Sequence, residues 1–182
     1  MDPLQQRLRQ LHDALGIDPD YPQRCAMPLC PEPQELADSG PDMFDRPQRL
    51  TPEALAAWRR MQSLAAASGI ELLLVSAFRS WQYQHDLIAR KLEKGQQIND
   101  ILLVNAAPGF SEHHSGRAID IATPGCEVLT EAFENTPAYQ WLEQNAADFG
   151  FHLSFPRDND LGIAYEPWHW CFRGLAANQK VS

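Results

Sequence analysis

The sequence has no long apolar run and no excess of positive charge. No stretch approaches the roughly 18 to 20 continuous apolar residues that cross a bilayer, so we expect no membrane insertion. The formal net charge is -9, and phosphate binding depends on clustered lysine and arginine, so we expect no nucleic acid partner. The first residues, MDPLQQRLRQLHDALGI, lack the apolar centre of a secretory signal. This predicts a cytoplasmic protein, or a periplasmic one if a leader was removed.

Cysteine is also scarce, with four residues among 182. Cys25, Cys30, Cys126 and Cys171 lack the CxxC pairing of zinc ribbons and are too few for a disulfide scaffold at this length. We therefore expect ordinary thiols, with a bridge between Cys25 and Cys30 as the alternative.

The remaining composition is that of an ordinary globular domain, with 44% hydrophobic and 21% charged residues. Leucines spaced by three or four predict a helix over residues 3–15. Residues 18–52, called here the proline-rich segment, hold eight of the 14 prolines, and we expect little regular structure there. We expect one structural domain overall, in which an N-terminal helix and wrapping segment (1–50) precede the catalytic part (51–182).

Periodicity, capping signals and branched residues predict the other elements. We expect helices over residues 52–65, 80–95 and 137–149, and strands over residues 70–78, 118–122, 151–155 and 163–172. This order favours an α+β fold with a small, mainly antiparallel sheet flanked by helices.

Two short segments contain the candidate metal-binding and catalytic residues. In SEHHSGRAID (111–120), Gly116 would let the chain reverse so that His113 and Asp120 face one point. In YEPWHW (165–170), Glu166 lies three residues before His169. Two imidazoles and one carboxylate with an open fourth position are typical of a catalytic zinc site. A further carboxylate beside the metal can take a proton from water, and Glu166 is the candidate.

The sequence also predicts where three neighbours of these residues lie. Strict strand alternation would place Glu166 and His169 on opposite faces, so we expect Pro167 to mark a bulge or kink. His114 should point away from its neighbour His113, and we expect it at the pocket rim or in the layer behind the ligands. Trp168 lies close enough to His169 to form a wall of the pocket.

Together these motifs resemble the VanY-type D-Ala-D-Ala carboxypeptidases of the LAS metallopeptidases, named for lysostaphin, D-alanyl-D-alanine peptidases and hedgehog. The family pattern S-x-H-x-x-G-x-A-x-D is matched from Ser111 to Asp120, and E-x-W-H is matched from Glu166 to His169. A third pattern, Y-R-S-x-x-x-Q, is met with Phe in place of Tyr by Phe78, Arg79, Ser80 and Gln84. The resemblance covers about residues 70–172.

The resemblance implies a hedgehog/D-Ala-D-Ala-peptidase-like fold and zinc-dependent hydrolysis of a peptidoglycan-derived peptide or muropeptide, with one Zn²⁺ per chain. It implies that the metal is held by His113, Asp120 and His169, with Glu166 as the base. It also implies that Arg79 stabilises the oxyanion, and that Gln84 and Ser111 help to seat the substrate.

The favoured reaction is release of terminal D-alanine. The alternatives are an L,D-carboxypeptidase, an endopeptidase on muropeptides, and a zinc-containing binding module without activity.

Overall fold

A computed structural model of the protein describes residues 2–175. Within this range the chain forms six α-helices: α1 (Pro3–Leu15), α2 (Tyr21–Arg24), α3 (Pro52–Ala67), α4 (Trp81–Glu93), α5 (Ile98–Leu102) and α6 (Pro137–Asn145). Three short 3-10 helices cover Glu112–Ser115, Glu131–Asn135 and Ala146–Phe149. Proline at the first helical turn, where no backbone donor is needed, begins α1, α3 and α6.

The strands in the described part of the chain are β1 (Ala37–Pro41), β2 (Pro47–Leu50), β3 (Leu73–Ser76), β4 (Ala118–Ala122), β5 (Phe151–Leu153) and β6 (His169–Phe172). β1 and β2 form a hairpin, and the other strands form a four-stranded sheet in the order β3-β4-β6-β5. Every pairing is antiparallel. The predicted α+β fold with a small antiparallel sheet is therefore confirmed.

The two faces of the four-stranded sheet have different roles. One core cluster contains residues of α3 and α6. It also contains alternate side chains of the central strands β4 and β6, namely Ile119, Ile121, Trp170 and Phe172. Because side chains alternate along a strand, Asp120 and His169 face the other side. A second cluster contains residues of α1, α4 and α5, including the fully buried Trp81 and Ile88. The sheet thus presents its polar residues away from the main core.

The proline-rich segment contains more regular structure than its composition predicts. Its hairpin closes around Asp42, whose carboxylate accepts hydrogen bonds from the backbone N–H groups of Phe44 and Arg46 at 2.8 and 3.1 Å. The side chains of Arg46 and Gln48 also donate to Asp42, at 2.7 and 2.8 Å. The hairpin then docks on β3, where the Met43 N–H donates to the Leu74 carbonyl. These side-chain and tertiary bonds compensate for the donors that proline lacks.

Three predicted strands are too long, and the one over residues 151–155 ends at Leu153. The last strand begins only at His169, and the predicted residues 163–168 form loop and turn whose backbone donors bind elsewhere. The Ala164 N–H donates to the Leu103 carbonyl, and the Glu166 N–H donates to the Phe155 carbonyl. The strand predicted over 70–78 is limited to Leu73–Ser76.

All four cysteines are free thiols in the structure, so the alternative of a bridge between Cys25 and Cys30 is not realised there. No helix between residues 2 and 175 combines the length and hydropathy that a bilayer crossing requires. The division into segments 1–50 and 51–182 stays a prediction, and residues 176–182 lie outside the described part of the chain.

Candidate active site

Three buried side chains from three separate elements meet beside the sheet. Asp120 in β4 and His169 at the start of β6 are direct partners across the two central strands. His113 lies in the 3-10 helix Glu112–Ser115, just before β4. Their exposed fractions are 1% for His113, 4% for Asp120 and 2% for His169, so the group is shielded from bulk water.

The distances between the donor atoms of these residues suit a small metal ion. Nε2 of His113 lies 3.2 Å from Oδ1 of Asp120, and Nδ1 of His169 lies 3.1 Å from the same oxygen. One donor atom from each residue lies within 4.8 Å of the others. Ligands at the corners of a tetrahedron around zinc lie about 3.3 Å apart when metal–ligand bonds are about 2.0 Å. Two imidazole nitrogens and one carboxylate oxygen therefore fit zinc in both chemistry and spacing.

Each histidine ring is also held at its other nitrogen. Nδ1 of His113 lies 2.6 Å from the carbonyl oxygen of Ala77, which can only accept, so this nitrogen donates. Nε2 of His169 lies 2.9 Å from Oε2 of Glu112. These bonds leave Nε2 of His113 and Nδ1 of His169 directed at Asp120.

Two turns bring the candidate metal ligands into position. Gly116 has φ +65° and closes the 3-10 helix that carries His113, as the sequence predicts. At Pro167 the chain makes a turn in which the His169 N–H donates to the Glu166 carbonyl at 3.1 Å. The predicted kink at Pro167 is therefore confirmed, and it places Glu166 and His169 on the same side despite their odd spacing.

Glu112 and Glu166 approach His169 from opposite edges of its ring. Oε2 of Glu166 lies 3.9 Å from Nδ1, the edge that faces Asp120, whereas Glu112 contacts Nε2. Burial raises the pKa of Glu166 to about 7, and the nearby Asp120 adds to this, although His169 opposes it. Burial alone would raise the pKa of Glu112, but its hydrogen bond and attraction to His169 lower it to about 2. The two carboxyl groups are therefore suited to different roles.

The ligand residues perturb one another in the metal-free protein. Burial and the charge of Arg79 lower the pKa of His113 to about 4, although Asp120 opposes the shift. Burial would lower the pKa of His169, but its hydrogen bonds to Asp120 and Glu112 raise it to about 10. Burial likewise would raise the pKa of Asp120, and the two histidines outweigh it and hold that pKa far below its usual range.

Arg79 is held at the site by its main chain. Its N–H donates to the carbonyl of His113, and its own carbonyl accepts from Nδ1 of His114 at 2.6 Å. Nη2 of Arg79 lies 3.9 Å from Oδ2 of Asp120, and the buried Nε has no hydrogen-bond partner. His114 is fully buried, so of its two expected positions it takes the one in the layer behind the candidate ligands and not the pocket rim.

A pocket of about 380 Å³ opens onto these residues. Its lining includes the other side chains that the sequence singled out: Gln84, Ser111 and Trp168. Nε2 of Gln84 donates to the Ala106 carbonyl at 2.8 Å, while the buried Oε1 has no partner. Ser111 is buried, and its hydroxyl accepts from the His113 N–H at 3.4 Å. Nε of Arg79 and Oε1 of Gln84 have no hydrogen-bond partner among residues 2–175, and both residues line the pocket.

Three charged residues that line this pocket were not predicted as site residues: Glu112, Lys91 and Glu131. Glu112 directly precedes His113, but its contact with His169 spans 57 positions. No local spacing in the sequence predicts that contact. Lys91 lies on α4 seven residues after Gln84, which places both on one helical face. Burial and the charge of Arg79 lower the pKa of Lys91, while Glu166 raises it.

Residues 47–175 match the family model described as VanY, D-alanyl-D-alanine carboxypeptidase. The putative carboxypeptidase YodJ of Bacillus subtilis (strain 168) is 35% identical over 134 residues, which are 71% of this chain and 48% of YodJ. The chain thus spans about half the length of that relative.

Solved structures that are similar to this chain include LdcB and a VanY enzyme. The LD-carboxypeptidase LdcB superposes with a TM-score of 0.70 at 30% identity, covering 79% of this chain and 70% of LdcB. A vancomycin resistance D,D-pentapeptidase VanY in complex with Zn(II) superposes with a TM-score of 0.61 at 26% identity, covering 80% of this chain and 84% of that one.

Proposed function

Since the chain belongs to the VanY family of D-alanyl-D-alanine carboxypeptidases, we propose that it is a zinc peptidase that releases terminal D-alanine from peptidoglycan-type peptides. The membership confirms the family predicted from the sequence motifs. The observation that carries the proposal is the convergence of His113, Asp120 and His169 in a pocket that also contains Glu166. These three residues would hold one zinc ion and leave a coordination position open.

Glu166 is the proposed general base. When bound, zinc acts as a Lewis acid that polarises the scissile carbonyl and makes water nucleophilic near neutral pH. Glu166 lies at the edge of His169 that faces the other ligands, and its pKa of about 7 suits proton transfer in both directions. Its carboxylate takes a proton from the attacking water and passes it to the leaving amine of D-alanine. Glu112, behind His169, is placed for neither step.

Arg79 is the proposed partner of the oxygen that gains negative charge. Its side chain is 18% exposed, its ion pair with Asp120 is long at 3.9 Å, and its Nε is unpartnered. The guanidinium therefore has donors free for a substrate oxygen. Such charge-assisted bonds strengthen as the carbonyl becomes tetrahedral, and losing one donor costs about 3 to 4 kcal/mol of barrier.

The substrate would be seated by Gln84, Ser111 and Trp168. The free Oε1 of Gln84 can accept from a peptide N–H, since a buried acceptor without a partner is unfavourable until a ligand supplies one. Ser111 supports the turn of His113, and Trp168 contributes an apolar wall.

An L,D-carboxypeptidase is the second candidate, because LdcB has the same fold and is 30% identical to this chain. The same metal centre would cut after an L-residue, and only the shape of the pocket beyond the metal would differ. A binding module without activity is disfavoured, since the proposed base and the complete set of donor residues are present together.

Product analysis on a defined set of peptides separates these candidates. The zinc-loaded protein is incubated with D-Ala-D-Ala, with a stem pentapeptide and tetrapeptide, and with a crosslinked dimer, and the products are identified by mass spectrometry. We expect loss of one alanine from the pentapeptide. Loss from the tetrapeptide alone would establish the L,D activity instead, and no release from any of the peptides would refute the carboxypeptidase proposal.

We also propose that the substrate is a soluble peptide or muropeptide fragment, because a protein with net charge -9 is repelled by anionic cell-wall polymers. The cytoplasmic location stays a prediction from the N-terminal residues. Fractionation of cells that produce the tagged protein from its own gene tests it.

A further inference from the structure

We infer that Glu112 is a positioning residue of the metal centre, which fixes the ring of His169 so that Nδ1 faces the other two ligands. The inference rests on the proposed function, because it takes His169 as a zinc ligand. It concerns metal affinity, however, and can be measured without any substrate.

The two nitrogens of His169 have clearly separate partners. Nε2 lies 2.9 Å from Oε2 of Glu112, and Nδ1 lies 3.1 Å from Oδ1 of Asp120. A carboxylate can only accept a hydrogen bond, so Nε2 keeps its proton when the ring is neutral. The lone pair of the neutral ring is then on Nδ1, the atom nearest to Asp120. Glu112 thereby selects the tautomer that can bind a metal at this position.

The two histidines differ in how they are supported. His113 donates to a neutral backbone carbonyl, that of Ala77, whereas His169 donates to a carboxylate. A carboxylate acceptor raises the basicity of a metal-binding imidazole more than a carbonyl does, and such outer partners typically contribute about 10- to 100-fold to metal affinity. His169 should therefore be the ligand whose strength depends on a removable side chain.

Glu112 also joins two parts of the site that are far apart in sequence. Its backbone lies in the 3-10 helix that carries His113, and its side chain reaches across 57 positions to β6. The carboxyl group of Glu112 is only 22% exposed. One side chain thus holds the helix of the first ligand against the strand of the third.

Zinc affinity of two Glu112 variants tests this role. Glu112→Gln keeps an oxygen that can accept from Nε2 but removes the charge, and Glu112→Ala removes both. Glu131→Gln is the control, because Glu131 lines the same pocket and pairs with Arg157 instead of a ligand. Competition with a chromophoric chelator gives the dissociation constants, and thermal unfolding of the metal-free proteins shows whether each variant is folded.

We expect the zinc dissociation constant to rise about 10-fold in Glu112→Gln and up to about 100-fold in Glu112→Ala, with less than a twofold change in Glu131→Gln. The NMR signal of the Nε2 proton of His169 should be slow to exchange in the zinc-loaded wild type and lost in Glu112→Ala. Wild-type affinity in both Glu112 variants, or an equal loss in Glu131→Gln, would overturn the inference. Failure of the wild type to cleave any peptide would overturn the proposed function and leave this result standing.

Discussion

Replacing Gly116 by alanine measures how strongly the proline-rich segment supports the metal-binding turn. A Cβ atom at this position would lie 2.7 Å from Cδ2 of Leu36 and 3.3 Å from Cγ2 of Thr51. The backbone has φ +65°, which costs a residue other than glycine about 1 to 2 kcal/mol. Leu36 is half-buried and can move, at about 0.5 to 1.5 kcal/mol for leaving its rotamer. The expected loss of stability is therefore about 1.5 to 3.5 kcal/mol.

Thermal unfolding of the metal-free protein detects this change, since 1 kcal/mol lowers the melting temperature of a chain of this length by about 2 to 4 °C. Gly16→Ala is the matched control, because Gly16 has φ +68° and nothing within 4 Å of the added Cβ. The control should show only the backbone cost. If the two variants lose equal stability, the added Cβ at Gly116 costs nothing beyond the backbone term. The expected close packing of the proline-rich segment against the turn would then be refuted.

Three further predictions concern the metal and the hairpin. Glu166→Gln should retain zinc while turnover falls about 10²- to 10⁴-fold, whereas His113→Ala should lose the metal; bound zinc is read by elemental analysis, and full zinc in His113→Ala would remove the ligand assignment. Zinc binding at pH 8 should release about one proton, because the pKa of His169 in the metal-free protein is raised to about 10. Calorimetry in buffers of different ionisation enthalpy measures that release, and a value near zero would contradict it. Asp42→Asn should destabilise the fold by about 2 to 4 kcal/mol in urea unfolding at pH 7. Burial would raise the pKa of Asp42, but its hydrogen bonds lower it, so its contribution is present above about pH 4 and is lost as the pH falls through the lowered pKa; a difference that does not shrink in acid would refute this.

The residues that could be predicted from the sequence are those whose roles depend on local spacing. His113 and Asp120 share one ten-residue segment, and the turn at Pro167 follows from the odd separation between Glu166 and His169. Turn chemistry and strand alternation are local properties, so one sequence suffices to apply them. The structure brings the three expected ligands together, and their coordination of zinc remains a proposal.

What the sequence did not predict depends on contacts between distant residues. The hairpin at 37–50 forms because Asp42 accepts backbone hydrogen bonds of its turn and because Met43 donates to β3. Neither interaction can be predicted from the number of prolines. Residues 163–168 have a composition typical of a strand, but their backbone donors are used by neighbouring loops. The choice for His114 between the pocket rim and the layer behind the ligands stayed open, because nothing in the sequence shows that the Trp81 ring packs against it.

The pairing of Asp120 with His169 across the central strands has a consequence for how the metal would enter and leave. Both residues belong to a sheet that can open only by breaking the ladder between β4 and β6, whereas His113 sits on a single helical turn outside it. Motions that open a site locally use the least protected elements of a fold. The sheet therefore fixes Asp120 and His169 relative to each other, and His113, on the turn outside the sheet, is the residue that a local opening would release from the site.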